Sequence, residues 1–376
     1  MLSRRRVLQS ALLAWPAVHA WPQEPKKTYR ACIIGHTGRG NYGHGMDTTF
    51  QRLPHVRVVA VADPDEKGRA GAQKRSGAER AYADWREMLS KEKPDLVSNG
   101  PRWVEGRLEV FTACARIGAS VYSEKPLAAS PAEADAIVDV CRRHKVKTAL
   151  AHQNRLAPQV LHAQRAVDEG LIGELKEIRT FGKEDRRSGG EDLMVLGTHA
   201  LYLMRLFGGP ATSCTAKVTL GGRPITREDR RKATEPLGPV AGDSIEATYA
   251  LPKGVVGTFT SLKQPKPGGR FGVTLVGTKG TVQIGPANLC KATMNGEPLP
   301  GAPPLDDPCG LPWPAAANYR LVEDLIRAIE TDGESVASAE ESRAVLDMIF
   351  ATYASQLAGG PVTLPLADRT HPLGEL

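Results

Sequence analysis

Short apolar runs alternate with amphipathic stretches through the first half of the chain, and the period changes in the second half. "YRACIIG" (29–35), "VRVVAVAD" (56–63), "PDLVSNGP" (94–101), "ASVYSEKPLA" (119–128) and "VKTALAHQN" (146–154) are apolar runs of the kind that form strands buried on both faces. Residues 131–144, "PAEADAIVDVCRRH", carry helical spacing, and a further helical stretch is expected after the glycine-dense segment "GHTGRGNYGHG" (35–45), ending near Leu53. Strand and helix in alternation predict a doubly wound parallel sheet of Rossmann type over residues 28–150, with its ligand edge at the strand C-termini. Beyond residue 151, "DSIEATYAL" (243–251), "GVVGTFTSL" (254–262), "RFGVTLVG" (270–277) and "GTVQIG" (280–285) are β-branched runs divided by Pro, Gly and Lys turns. Such runs predict hairpins or a meander. Residues 316–332 and 338–358 then read as amphipathic helices, so 151–376 is expected to form a separate α+β domain.

Length and charge agree with two domains and narrow the function. The chain has 376 residues, 41% of them hydrophobic, beyond the ~250 to 300 residues at which a single core stops growing. Its formal charge of +7 falls to +4 without residues 1–20, which hold three arginines and no acid. That dispersed excess does not predict a nucleic-acid partner. Residues 1–20 read as a removable signal, with Arg4, Arg5 and Arg6 before a short apolar stretch and Val18-His19-Ala20 at a cleavage point, followed by a linker over 21–27. "SRRRVL" resembles the bacterial twin-arginine export signal, which implies export of a folded protein to the periplasm. The apolar stretch is far below the ~20 residues of a bilayer span, so no permanent membrane anchor is expected. Six cysteines lack metal-ligand spacing; most read as buried thiols, while Cys290 and Cys309 either pair in an oxidising compartment or remain free. No metal site is expected, since His36, His44, His152 and His162 form no ligand set.

The turn after the first strand fits a dinucleotide. In a G-x-G-x-x-G frame, Gly35 and Gly40 take the first and third places, Thr37 the second, with Gly38 and Arg39 between them. Asp63 ends the next strand 23 residues beyond Gly40, near where an acid receives the adenosine ribose hydroxyls. Asp65 would repel a 2′-phosphate and favours NAD; Arg39 keeps NADP open.

"SEKPLA" (123–128) resembles the Glu-Lys-Pro motif of the glucose-fructose oxidoreductase and inositol dehydrogenase (Gfo/Idh/MocA) family. The likeness continues through "EGLIGEL" (169–175), "GGEDLMVLGTHALYLMRLFGG" (189–209), "FGVTLVGTKGTVQIG" (271–285) and "TYASQLAGGPVTLPL" (352–366). It implies a Rossmann domain, a second domain with an open, mostly antiparallel sheet, NAD(P), a sugar, cyclitol or glycoside substrate, and a dimer or tetramer. Carried onto this chain, it places Glu124, Lys125, Pro101 and Arg102 at the nicotinamide and makes Lys125 the proton relay. His199 matches the histidine of the family's D-x-G-x-H pattern, but Val195 stands where the aspartate belongs, and Tyr202 replaces a second aspartate three residues later. Val195, His199, Tyr202 and Leu206 are expected on one helical face. His199, with its near-neutral pKa, would then accept the alcohol proton beside Lys125, with Tyr202 supplying a hydrogen bond. Glu191 and Asp192 are candidate replacement acids, and Arg155, Arg186 and Arg187 candidate substrate contacts.

Three functions fit: a plain NAD(P)-dependent dehydrogenase, a redox-neutral glycosidase, epimerase or coupled oxidoreductase with retained cofactor, and a sugar-binding relic argued by Val195. Export favours retained cofactor, because an exported compartment offers little NAD.

Overall fold

The computed structural model describes residues 27–264, 270–285, 292–301 and 315–376. The export signal, most of the linker, Cys290 and Cys309 lie outside the described residues. The first domain is a six-stranded parallel sheet of β1 (Tyr29–Ile34), β2 (Val56–Ala62), β3 (Arg80–Tyr82), β4 (Leu96–Asn99), β5 (Ser120–Ser123) and β6 (Thr148–Leu150). The strand order is β3-β2-β1-β4-β5-β6, so the winding reverses between β1 and β4. Helices α1 (Glu66–Ser76), α2 (Trp85–Glu92), α3 (Arg107–Arg116) and α4 (Pro131–His144) make the crossovers. Local chemistry sets their ends: Asp65 accepts the Gly68 N–H to start α1, and Ser130 accepts the Glu133 N–H to start α4, with Pro131 in its first turn.

The crossover from β1 to β2 contains no α-helix, contrary to the sequence expectation. Residues 35–53 run through successive turns in which Gly38, Gly40, Asn41, Gly43 and Gly45 all have positive φ. A right-handed helix cannot pass through left-handed residues. The helical spacing of Tyr42, Met46, Phe50 and Leu53 is still used, because all four are buried against β1.

The second domain begins with α5 (Pro158–Asp168) and β7 (Leu175–Phe181), followed by a short turn α6 (Gly190–Asp192), a π-helical turn Leu193–Gly197 and α7 (Thr198–Gly208). Then come β8 (Ser213–Leu220), β9 (Arg223–Pro224), β10 (Arg231–Lys232), β11 (Pro239–Val240), β12 (Ser244–Ala250), β13 (Val256–Ser261), β14 (Gly272–Gly277), β15 (Thr281–Ile284), β16 (Ala292–Met294), β17 (Glu297–Pro298), α8 (Ala315–Thr331), α9 (Ala339–Ala358) and β18 (Val362–Thr363). Ten strands form one sheet ordered β17-β16-β15-β14-β7-β13-β12-β8-β18, with β9 beside β8, and β10 and β11 pair apart. All its pairs are antiparallel except β7 with β13. In β12 the alternation is read directly, with Ile245, Ala247 and Tyr249 inward and Glu246, Thr248 and Ala250 exposed. Helix α8 departs from the expected division: Leu321, Val322, Leu325 and Ile326 pack with Ile33, Met46 and Phe50 in the core of the first domain.

Candidate active site at the carboxyl edge of the parallel sheet

A cleft of about 520 Å³ opens where the winding reverses, lined among others by Gly35, His36, Arg39, Asp63, Asn99 and Pro101. This is the crevice in which doubly wound sheets take their ligands. The glycine loop on its rim is closed by paired backbone bonds between His36 and Asn41, at 3.1 and 3.0 Å. Asp63, fully buried, accepts the Thr37 N–H at 3.0 Å and the Thr37 hydroxyl at 2.7 Å, which ties the loop to the end of β2. Gly40 is required by close approach, since a Cβ there would stand 2.5 Å from the Arg102 nitrogen. An open cleft at the switch point and a glycine loop packed tightly on its rim fit a dinucleotide, whereas Asp63, expected from the sequence to receive the ribose hydroxyls, is buried with both oxygens bonded to Thr37 and Asp65 and holds the loop instead. Arg39 donates to Glu105 at 2.5 Å and lies over the Trp103 ring at 4.7 Å. Its charge is therefore answered from within the protein, and NAD fits better than NADP.

Below the cleft, Glu124 is buried and takes three bonds: from the His44 N–H at 2.9 Å, His44 Nδ1 at 2.6 Å and the Lys125 N–H at 3.1 Å. Burial works to raise its pKa, but the bonds to His44 and the charge of Lys125 outweigh burial and hold the carboxyl below its ordinary range. Gly43 permits this pairing, because a Cβ there would meet Glu124 Oε1 at 2.4 Å. Arg107, also buried, donates to the carbonyls of Glu124 and Pro101 at 2.7 and 2.8 Å and to that of Pro126. Burial pushes this guanidinium down to about 10. It pins the loop after β5 to the loop after β4.

Lys125 follows Glu124 and precedes a cis Pro126. Its Nζ donates to the Val195 carbonyl at 2.9 Å. Burial lowers the lysine pKa, opposed by Glu124 and Glu235 and assisted by Arg102 and Arg187. The residue standing in the family aspartate's place thus still holds the lysine, through its backbone. The π turn over Leu193–Gly197 breaks the expected α-helical register between Val195 and His199.

His199, in the first turn of α7 beside this lysine, is buried, with Nδ1 unpartnered. Burial, then the charges of Lys125, His152 and His44, hold its pKa well below the ordinary histidine value. The near-neutral titration expected from the sequence is not met: the imidazole is neutral across the usual range, so Lys125 is the better proton carrier. His152 lies edge-on to His199 at 5.5 Å, stacks on Tyr202 at 4.6 Å and bonds Thr198 Oγ1 at 2.9 Å.

Of the other candidates, Arg187 is near enough for its charge to act on Lys125, and Tyr202, Asp192, Glu191 and Arg155 are committed to bonds of their own. The Tyr202 hydroxyl donates to the Val336 carbonyl, so its polar atom is committed away from Lys125. Asp192 accepts from Ser261 Oγ at 2.7 Å and the Glu184 N–H at 3.0 Å, holding the turn before α6. Glu191 accepts the Thr234 N–H at 3.1 Å. Arg155 donates to Gln164 at 3.3 Å and Arg187 to Asp185 at 2.7 Å. Sequence reasoning gave Gly43, His44 and Arg107 no part in the site. Gly43 and His44 stand in a loop crowded with glycines and form no motif of their own, and Arg107 looks like any first-turn arginine.

Two family models match: the Gfo/Idh/MocA "Oxidoreductase family, NAD-binding Rossmann fold" over residues 29–152, and the "GFO/IDH/MocA C-terminal domain" over 160–283. The chain belongs to the Gfo/Idh/MocA oxidoreductase family. It is 26% identical over 367 residues to D-apiose dehydrogenase of Paraburkholderia graminis, covering 92% of each chain. It is 27% identical over 150 residues to 2,7-anhydro-N-acetylneuraminate hydratase of Mediterraneibacter gnavus, covering 40% of this chain and 38% of that one. Levoglucosan dehydrogenase in complex with NADH and levoglucosan shares the fold, with a TM-score of 0.72, 18% identity and coverage of 90% and 99%. This family member is an NAD-dependent oxidoreductase whose dinucleotide cleft adjoins the Glu124-Lys125-Pro126 loop.

Proposed function

We propose that the enzyme oxidises a hydroxyl of a sugar, cyclitol or glycoside, with Lys125 as the proton carrier and His199 as a neutral hydrogen-bonding group on the same oxygen. The observation that carries this is the buried ammonium of Lys125, held on the Val195 carbonyl at 2.9 Å beside His199 at the carboxyl edge of the sheet. NAD+, when bound, accepts the hydride. Lys125 in its neutral form takes the carbinol proton, a task made easier by the burial that lowers its pKa. Glu124 and Arg107 keep the lysine loop in place, and Arg39 with Glu105 and Trp103 spans the rim of the cleft. Several relatives act on sugars and sugar derivatives by name, which supports a carbohydrate substrate.

A redox-neutral cycle with retained cofactor is the second reading. It is favoured by the strap across the cleft, by the likeness to a hydratase, whose reaction has no net oxidation, and by the twin-arginine-like residues 3–9. We place the mature enzyme in the periplasm, exported as a folded holoprotein and assembled as a dimer or tetramer through the open face of the large sheet. Mass spectrometry and absorbance of protein purified from the exported fraction and then denatured test this. Near-stoichiometric NAD(H) supports the retained cofactor; its absence, with NADH formed on adding NAD+ and a sugar, leaves the simple dehydrogenase; neither binding nor turnover refutes both.

A further inference from the structure

His199 comes to the site without the partner that usually orients a functional imidazole. Its Nδ1 is buried and bonded to nothing among the described residues. Neither family acid flanks it, since position 195 is valine and position 202 is a tyrosine committed to the Val336 carbonyl. A histidine ring is ordinarily fixed by a hydrogen bond at its second nitrogen. Here the ring is held by what packs against it. His152 lies edge-on to it, with ring centroids 5.5 Å apart and planes at 81°. The same residue grips the backbone that carries His199, because its Nε2 bonds the hydroxyl of Thr198, the first residue of α7, at 2.9 Å.

His152 is itself closely fixed. It stands two residues beyond β6, and the N–H of Ala151 before it donates to the carbonyl of Ser123, the last residue of β5, at 2.8 Å. Lys125 follows Ser123 by two residues. The Tyr202 ring stacks on His152 at 4.6 Å, and Ser342 Oγ of α9 lies 3.4 Å from its Nδ1. Both nitrogens thus meet hydroxyls, which can give or take the bond. With 1% of its surface exposed and neither nitrogen free, His152 does not touch a substrate. Burial keeps it uncharged, its pKa pushed down to about 3. What it can set is a distance. Lys125 belongs to the edge of the parallel sheet and His199 to the second domain, and one chain of short contacts joins them, Ser123 with Ala151, then His152 with Thr198 and with the His199 ring.

Resting on the oxidoreductase reading above, we infer that His152 is the positioning residue for His199, holding that imidazole against the oxygen whose proton Lys125 takes. It acts only through His199. Its removal leaves the cofactor cleft and Lys125 as they are and frees the His199 ring to turn.

The test is a double-mutant cycle on the full chain with His199→Ala and His152→Phe, which keeps a ring of similar size and loses both bonds. NADH formation is followed by absorbance over a panel of pentoses, hexoses, cyclitols and anhydrosugars, and urea unfolding shows that each variant is folded at the assay temperature. His152→Phe should lower kcat roughly tenfold to a hundredfold, the range for a misplaced group, with NADH affinity by fluorescence within about twofold. In the His199→Ala background it should cost less than about twofold more. His152→Gln, which can still reach the Thr198 hydroxyl, should recover part of the loss, and it takes the place of His152→Phe if that variant does not fold. Losses that multiply in full across the cycle, or a kcat unchanged by the His152 variant, overturn the inference. If His199→Ala leaves kcat unchanged, the reading of His199 at the reacting oxygen fails, and if the wild-type chain oxidises nothing in the panel, the oxidoreductase reading fails. In either case the positioning is read from crystals of the His152 variant, in which the His199 ring should take a changed or second orientation; a ring unmoved from its wild-type place overturns it.

Discussion

Gly43 and Gly38 offer a paired test of how the cofactor loop is built. Both have positive φ, +58 and +81, so alanine at either costs the left-handed penalty of about 1–2 kcal/mol. Their surroundings differ. A Cβ at Gly38 meets nothing within 4 Å, whereas at Gly43 it would stand 2.4 Å from Glu124 Oε1, 2.5 Å from Glu124 Cγ and 2.6 Å from the Gly100 carbonyl oxygen. Glu124 is buried and bonded, and Gly100 is backbone, so neither yields without loss. Overpacking of this kind adds about 1–3 kcal/mol. Gly38→Ala should therefore lose about 1–2 kcal/mol and Gly43→Ala about 2–5 kcal/mol, read as the shift in urea midpoint at constant slope. Equal losses for the two variants would refute the claim that Gly43 is glycine to admit the Glu124 side chain.

Three further outcomes are expected. In the oxidation direction kcat/KM should rise with pH and level off at a Lys125 pKa below the ordinary lysine value, because burial disfavours the ammonium; Lys125→Met should cut kcat by about 10²–10⁴ and remove that inflection from the pH profile. Tyr202→Phe should cost about 1–2 kcal/mol in chemical unfolding, leaving the Val336 carbonyl unsatisfied, while kcat stays within about twofold; a large loss of kcat would return Tyr202 to the chemistry. Glu105→Gln should speed NADH release in stopped flow by up to about fivefold, the range of an exposed ion pair, and rising salt should shrink the difference.

Strands were legible where burial on both faces makes a run of apolar residues unbroken, as in β2 and β4, and α4 occupies the 131–144 span that its serine cap, proline and apolar spacing announce. The Glu-Lys-Pro loop was legible because its motif is contiguous. The stretch after β1 was misread because Tyr42, Met46, Phe50 and Leu53 keep a helical period while the glycines between them take left-handed conformations. Periodicity reports which side chains are buried and is silent on backbone handedness. Glu124 with His44, 80 residues apart, and Arg107 with the loop after β5 are joined only by the winding of the sheet. Tyr202 takes its expected role from the family aspartate whose place it fills, and neither that match nor its helical face gives the partner of its hydroxyl, which is Val336.

The seating of α8 bears on when the enzyme becomes complete during synthesis. The layer that covers β1 is finished by Leu321, Val322, Leu325 and Ile326, almost three hundred residues after the strand itself is made. Asn318 on the same helix donates to the His44 carbonyl at 2.9 Å and accepts from the Tyr122 hydroxyl at 2.7 Å, next to the loop that faces the dinucleotide. A ribosome that has released only the first domain has therefore released a sheet with an open face. A nucleotide-binding half cut out at residue 150 lacks the layer over β1, and it is expected to bind the dinucleotide less well than the full chain.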